Sequence, residues 1–158
     1  MTTEQVRIVS LPPMRVASFY AFGESPETAA WDKMVRWAKS HSLWLEPPDI
    51  RVFGFNNPDP AEGSPNYGYE FWLTSNHEIL QDEEMKIKQF TGGLYAVMHC
   101  DVPGDPGEFI PSTWGKLVEW HESSHYQLGN HQWLEEHLSR GDTNMAGFVL
   151  DLFLPISK

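Results

Sequence analysis

A seven-residue pattern occurs twice in this chain and constrains its fold more than any other feature. The first copy runs from Trp31 to Trp37 as WDKMVRW, and the second from Trp114 to Trp120 as WGKLVEW. Counted from the first Trp, the apolar positions 0, +3 and +4 lie on one stripe of a helix with ~3.6 residues per turn. Each copy therefore predicts an amphipathic helix that packs against another layer.

The segments before the two helices repeat as well. VRIVSLPPMRVA at 6–17 matches MKIKQFTGGLYA at 85–96 in its spacing of apolar residues. Pro12-Pro13 in the first segment and Thr91-Gly92-Gly93 in the second predict a turn between two strands. The chain is therefore interpreted as a duplication within a single domain, 1–158. Repeat one covers about residues 5–76 and repeat two about 84–157.

The remaining elements follow the same plan in both repeats. Strand-like runs occupy residues 5–11, 14–22, 50–55, 67–73, 85–90, 94–102, 131–138 and 148–154. Ser25-Pro26-Glu27 favours a helix start, so the first Trp helix begins there and ends near His41. The second Trp helix follows the predicted loop 103–107. The predicted fold class is α+β: two pseudo-symmetric strand-helix-strand-strand repeats form a curved antiparallel sheet with both main helices on one face and a ligand pocket on the other.

Composition and charge exclude several classes of function. The net charge of −11 repels nucleic acid, and no basic stripe offsets it. Cys100 is the only cysteine, so no internal disulfide forms. No apolar run approaches the ~18 residues that a membrane helix needs. With neither a signal peptide nor a DNA-binding segment before Val6, we expect a soluble, cytoplasmic protein that is not itself a DNA-binding regulator.

Two strands carry a carboxylate beside aromatic residues. Trp72 follows Glu70 at i+2, and Glu135 lies between Trp133 and His137. Residues two apart on a strand share a face, so each Glu is either a solvated surface acid or the charged floor of an aromatic cage. Because this pattern of a Glu beside aromatic residues occurs in both repeats, we interpret each Glu as the floor of a cage. Three further aromatic residues are candidates for the wall of this site or for the core: Tyr20, Phe53 and Phe55.

A possible metal motif ends the second Trp helix. His121-Glu122-Ser-Ser-His125 fits H-E-x-x-H, which on one helix binds zinc and uses the Glu as general base. The longer protease signature needs Gly where this chain has Leu128. The duplication also aligns His121 with Ala38, on the stripe that packs against the sheet. We therefore expect no metal and no cofactor, and interpret these His residues as a C-terminal helical turn.

From Val6 to Ile156, these motifs in this order resemble the GyrI-like small-molecule-binding domains. These are also known as the effector-binding domains of multidrug-sensing transcription activators, in the SOUL-like superfamily. The resemblance rests on the opening segment 6–17, the helices ending in Val-x-Trp, GGLYA at 92–96, LEEH at 134–137 and LDLFLPI at 150–156. It implies two halves enclosing a pocket that holds aromatic residues and a buried Glu that pairs with lipophilic cations. Glu135 occupies the Glu-x-aromatic position of that pattern.

Two positions depart from the family pattern. Asn56-Asn57-Pro58 stands where the family often has Asp-x-Pro, and His137 stands where it often has Tyr. The chain thereby lacks a carboxylate and a phenol that relatives carry, which changes what the pocket can bind or catalyse.

The resulting hypothesis is capture of a hydrophobic, flat or cationic small molecule, with Glu135 as the leading carboxylate. An unpartnered buried carboxylate is expected to have a raised pKa until a cation arrives. One alternative is a hydrolase of strained electrophilic polycyclic natural products, in which Glu135 and Glu70 activate a water. A third reading is a protein-interaction module acting on a topoisomerase. No nucleic-acid or membrane partner is expected, and the oligomeric state is left open.

Overall fold

A computed structural model describes residues 6–41, 50–57, 59, 61–75, 83, 85–102, 106–138 and 148–158. Within these residues, two long helices and nine strands follow one another: β1 (Val6–Leu11), β2 (Met14–Gly23), α1 (Pro26–Ser40), β3 (Ile50–Asn56), β4 (Tyr67–Ser75), β5 (Lys86–Phe90), β6 (Gly93–Val102), α2 (Pro106–Ser123), β7 (Gln127–Leu128), β8 (Leu134–His137) and β9 (Phe148–Ser157). This order confirms the α+β class. The expected repeat boundaries at residues 5, 76 and 84 lie outside the described residues.

The strands belong to two compact units, residues 15–90 and residues 1–14 with 91–158. The strand order is β3-β4-β2-β5 in the first unit and β1-β6-β9-β8 in the second, where β7 also pairs with β9. Every pairing with a described register is antiparallel. The units differ from the sequence repeats because β1 pairs with β6, a strand of repeat two. Strand β5 of repeat two lies beside β2 of repeat one.

Helix α1 covers one face of the sheet in the 15–90 unit. Pro26 stands at its start with Glu27 in the first turn, as predicted. Trp31 and Trp37 are buried in the core that the helix forms with the sheet. The Trp31 ring lies 5.3 Å from Phe71 of β4, and the Trp37 ring lies 5.6 Å from Phe19 of β2. Since side chains alternate along a strand, the neighbours of Phe19 and Phe71 lie on the face opposite α1.

Helix α2 covers one face of the sheet in the other unit, where Leu117 packs with residues of β6 and β9. The helix begins at Pro106, inside the segment 103–107 that was predicted as a loop, because proline is favoured in the first helical turn. Strand β8 is shorter than the predicted 131–138, and β7 was not predicted because two residues carry no alternation. No helix in the described part of the chain is long and apolar enough to cross a membrane.

Candidate functional site

The expected site residues of repeat one lie on the sheet face opposite α1. Strands β2 and β3 both pair with β4, which aligns two rows of side chains across the sheet. In each row, directly paired residues share a face. The rows are Ser18, Trp72 and Phe53, and then Tyr20, Glu70 and Phe55. Glu70 and Trp72, which alternation along β4 predicts on one face, thus share that face with Tyr20, Phe53 and Phe55, which were candidates for the wall or for the core.

Glu70 is buried, with an exposed fraction of 1%, and four side chains donate hydrogen bonds to its carboxylate. Three of them converge on Oε2: Ser18 Oγ at 2.6 Å, Trp72 Nε1 at 2.6 Å and Lys88 Nζ at 2.7 Å. Asn57 Nδ2 donates to Oε1 at 3.1 Å. The buried acid therefore has a complete set of donors, one of which is a cation.

Burial and hydrogen bonding act on the pKa of Glu70 in opposite directions. Burial raises it, but the hydrogen bonds from Lys88, Ser18, Trp72 and Asn57 outweigh burial and hold the pKa of Glu70 below its ordinary value. The raised pKa expected of an unpartnered acid, with Glu135 as the leading carboxylate, does not extend to Glu70, because the partners of Glu70 are built into the protein. Glu70 is ionised at neutral pH.

The aromatic residues of this face divide into a buried wall and one accessible ring. The Trp72 ring lies 4.8 Å from Phe55, edge to face, and 5.2 Å from Phe90 of β5. Phe53, Phe55 and Trp72 are all buried. Tyr20 is 42% exposed, in the same row as Glu70. A ligand that approaches Glu70 therefore meets Tyr20 as its accessible aromatic surface.

A pocket of about 370 Å³ opens at the carboxylate. This volume lies within the range of small-molecule sites, roughly 300–1,000 Å³. The pocket is lined by Ser18, Tyr20, Asn57, Glu70, Glu83, Met85, Lys86 and Lys88. Its formal charge is balanced by two lysines and two glutamates, so its entrance is more polar than the aromatic pocket expected from sequence.

Two contacts hold Tyr20 in its place beside Glu70. Lys33 of α1 donates from Nζ to the Tyr20 carbonyl oxygen at 2.8 Å. A Cβ at Gly68 would collide with the Asn57 carbonyl and the Tyr20 hydroxyl, so the absence of a side chain at Gly68 permits this close approach. Lys33 of the repeated helix motif thus binds the Tyr20 backbone, and Gly68 of β4 leaves room for the Tyr20 hydroxyl.

The expected residues of repeat two have a different environment. Glu135 and His137 share a face, as predicted, but they pair with Leu152 and Leu150, which belong to the core that packs with α2. Trp114 of α2 donates from Nε1 to Glu135 Oε2 at 3.2 Å. Trp133 precedes β8 and its ring lies 5.4 Å from Trp114. Glu135 therefore lies on the helix-bearing face of its sheet, not on the opposite face where it was expected.

Two further buried acids, Glu136 and Asp151, lie on the face opposite α2. Glu136 pairs directly with Asp151 of β9, the strand that corresponds to β4 in the duplication. Asp151 forms an ion pair with Arg7 at 2.6 Å and a contact with His99 Nδ1 at 3.0 Å. Burial lowers the pKa of His99, but the hydrogen bonds that its ring donates to the Asp151 and Asp101 carboxylates outweigh burial and raise it. Asp151 and Glu70 are thus both buried acids paired with a cation.

Sequence reasoning missed three of the four donors to Glu70. Ser18 and Lys88 come from β2 and β5, and only the strand order β4-β2-β5 brings them to the acid. Asn57 occupies the variable middle position of the segment Asn56-Asn57-Pro58, so the family pattern did not single it out, and it contributes to the site as an amide donor. Glu136 was missed because the run LEEH places an acid on each face, and alternation does not say which face is covered.

The H-E-x-x-H motif lacks the geometry of a zinc-binding helix. Helix α2 ends at Ser123, so His125 lies beyond it, with its ring stacked on Tyr126 at 4.9 Å. His131 Nε2 contacts the Leu94 carbonyl oxygen at 2.7 Å. Within the described residues, no group of three or more His, Cys, Asp or Glu side chains is arranged to hold a metal ion.

Known families and structures resemble this chain over nearly its whole length. Residues 7–156 match the family described as integron-associated effector binding protein, Cass2. The C-terminal domain of EcmrR has a similar structure (TM-score 0.69, 14% identity, 99% of each chain covered). The integron cassette protein Cass2 from the mobile metagenome of Vibrio cholerae is also similar (TM-score 0.58, 10% identity, 96% of this chain and 95% of that chain).

A third similar structure contains a ligand. SAV2435 bound to tetraphenylphosphonium has a TM-score of 0.57 at 11% identity, with 97% of this chain and 94% of that chain covered. At such identities these likenesses establish the fold alone. A comparison with curated protein sequences gave no significant match.

Proposed function

Because this chain belongs to the family of integron-associated effector binding proteins, we propose that it captures a hydrophobic, positively charged small molecule and that Glu70 receives the charge. The GyrI-like effector-binding fold indicated by the sequence motifs is confirmed. Binding of small molecules is the common property of such effector-binding domains. The charge of the ligand and the residues that hold it are the proposal.

The observation that carries the proposal is an ionised carboxylate at a pocket of ligand size. Glu70 is buried beside a space of about 370 Å³ and its pKa is held below the ordinary value. A cation in that space gains a charge pair that water screens only partly. The exposed ring of Tyr20 offers a π-face for the same cation and apolar contact for its substituents.

A similar structure supplies a suitable probe. SAV2435 binds tetraphenylphosphonium, a permanently charged cation surrounded by aromatic rings. Its charge does not titrate, so any pH dependence of its binding must come from the protein. It therefore tests the preference for lipophilic cations directly.

The contacts of Glu70 favour binding over hydrolysis. A general base needs a pKa near the working pH, whereas the pKa of Glu70 is lowered. Three donors also converge on Oε2, which leaves little of that oxygen to activate a water molecule. The hydrolase alternative and the interaction with a topoisomerase stay predictions without support from this geometry.

The proposal is tested by replacing Glu70 with Gln and measuring tetraphenylphosphonium affinity by quenching of Trp fluorescence. Loss of the charge pair is expected to weaken binding by about 2 kcal/mol, roughly 30-fold. The control is Glu83→Gln, which removes the same charge from an exposed residue lining the same pocket. This control is expected to change affinity by less than about threefold, because exposed charges are screened.

A stability measurement and further variants complete the test. Thermal unfolding of Glu70→Gln shows whether the fold survives, and Ser18→Ala provides a milder change that removes one donor and keeps the charge. Glu135→Gln, on the helix-bearing face, is expected to leave binding intact. If Glu135→Gln abolishes binding and Glu70→Gln does not, the ligand carboxylate is assigned wrongly. Turnover of neutral electrophilic polycycles by the wild type would instead support the hydrolase.

A further inference from the structure

We propose that Lys88 is a resident cation of the Glu70 pocket and that a cationic ligand binds by exchanging with it. This inference rests on the proposed function, because it concerns how the same carboxylate receives the charge of a ligand. Lys88 Nζ lies 2.7 Å from Glu70 Oε2. The carboxylate thus already has the kind of partner that a cationic ligand would offer.

The two members of this ion pair differ in their freedom to move. The side chain of Glu70 is 2% exposed, whereas that of Lys88 is 43% exposed. Glu70 is also held by the neutral donors Ser18 and Trp72. Lysine has a flexible four-carbon stem and a strongly hydrated ammonium group, so its charge can move into water at small cost. The pair therefore opens by movement of Lys88 while Glu70 stays in place.

Charge and space around Oε2 require exchange when a cation binds there. Lys88, Ser18 and Trp72 already converge on this oxygen. A second cation beside a single carboxylate would be repelled by the ammonium in a site that is partly shielded from water. Ser18 and Trp72 are neutral and cause no such repulsion. The ligand charge therefore takes the position of the Lys88 ammonium.

Exchange with a lysine makes the pocket selective for lipophilic cations. A small hydrophilic cation offers Glu70 no more than the ammonium it displaces. A ligand with aromatic or apolar substituents adds contacts with exposed Tyr20, and this added contact drives the exchange. As an internal competitor, Lys88 reduces the apparent affinity of every cation by the same factor.

The experiment measures affinities for tetraphenylphosphonium by calorimetry and for tetraethylammonium by its displacement of tetraphenylphosphonium. The proteins are the wild type, Lys88→Met, Lys86→Met, Glu70→Gln and the double variant Lys88→Met/Glu70→Gln. Lys86→Met is the matched control, because Lys86 lines the same pocket but is not among the four donors to Glu70. Neutral triphenylphosphine oxide controls for a general increase in apolar surface.

Lys88→Met is expected to bind both cations roughly five- to tenfold more tightly than the wild type, by a common factor. Lys86→Met is expected to gain less than about twofold. In the Glu70→Gln background, Lys88→Met should give no gain, because the carboxylate for which the lysine competes is absent. Triphenylphosphine oxide should gain nothing from Lys88→Met.

Each other outcome overturns a defined part of the account. An unchanged or weaker affinity in Lys88→Met, with binding still dependent on Glu70, overturns the exchange and leaves the proposed function standing. Equal gains in Lys88→Met and Lys86→Met indicate a general charge effect and also overturn it. Absence of cation binding in all variants overturns both proposals. Binding detected only in Lys88→Met overturns both proposals for the wild type, because no ligand then exchanges with the lysine.

Discussion

The burial of Glu70 is unfavourable for its charged form, and the hydrogen bonds to its carboxylate offset this effect. Removing an ionised carboxylate from water is unfavourable, and hydrogen bonds to its charged form offset that penalty. Lys88, Ser18, Trp72 and Asn57 together outweigh burial, since the pKa of Glu70 is lowered. The carboxylate is thereby kept charged without a ligand, so the proposed exchange with a cation does not require the site to be ionised first.

The lowered pKa predicts how stability depends on pH. The folded state releases the Glu70 proton more readily than the unfolded state, so the carboxylate contributes stability above its ordinary pKa of 4.5. That contribution is lost as pH falls through the folded-state pKa. The free energy of unfolding in urea, measured from pH 7 to pH 3, should therefore differ between wild type and Glu70→Gln at neutral pH. The difference should shrink as the pH falls from 4.5 through the lowered pKa of the folded state. A difference that stays constant or grows on acidification would contradict this assignment.

Single residues were predictable where strand alternation decides their face. Alternation along β4 predicts that Trp72 shares a face with Glu70, because a period of two fixes which residues of one strand lie together. It left Tyr20, Phe53 and Phe55 open between the wall of the site and the core. The lysine donor, by contrast, depends on β5 lying next to β2, a long-range pairing that no local pattern encodes. Glu135 was expected on the ligand side because alternation groups residues by face without saying which face a helix covers.

The repeated Trp helices are the elements that sequence predicts best. The stripe gave the core-facing residues Trp31, Met34 and Val35 of α1, and in α2 it gave Trp114 and Leu117. The Trp at +6, expected beside the stripe, is buried in α1. The order of elements followed from the duplication. The duplication did not predict strand β7 or the short extent of β8, because two- and four-residue strands carry too few alternating positions.

The duplication provides a matched pair for testing the two helices. Trp37 is 2% exposed and packs against Phe19, whereas Trp120 is half-buried and stacks against Tyr126 at 6.2 Å. Trp37→Ala is therefore expected to cost about 3–5 kcal/mol of unfolding free energy. Trp120→Ala should cost about half as much, because less of its ring leaves the core. Urea unfolding followed by circular dichroism measures both. Equal losses would show that burial does not separate the two positions.

At the scale of the whole molecule, the buried acids of the two repeats have different partners. Glu70 pairs with Lys88 and Asp151 pairs with Arg7 and His99. The sequence predicted the repeat and the fold class, because both follow from patterns that recur along the chain. It did not predict that β1 and β5 lie with strands of the other repeat, since local sequence does not specify a strand's neighbour.

A crystal structure of the protein with tetraphenylphosphonium tests the central claim most directly. The account predicts that the phosphonium lies in the pocket lined by Glu70 and Tyr20, with a phenyl ring against Tyr20. It also predicts that Lys88 Nζ has moved away from Glu70 Oε2, from which it is now separated by 2.7 Å. Phosphonium density beside Glu135, with the Glu70–Lys88 ion pair intact, would contradict the account.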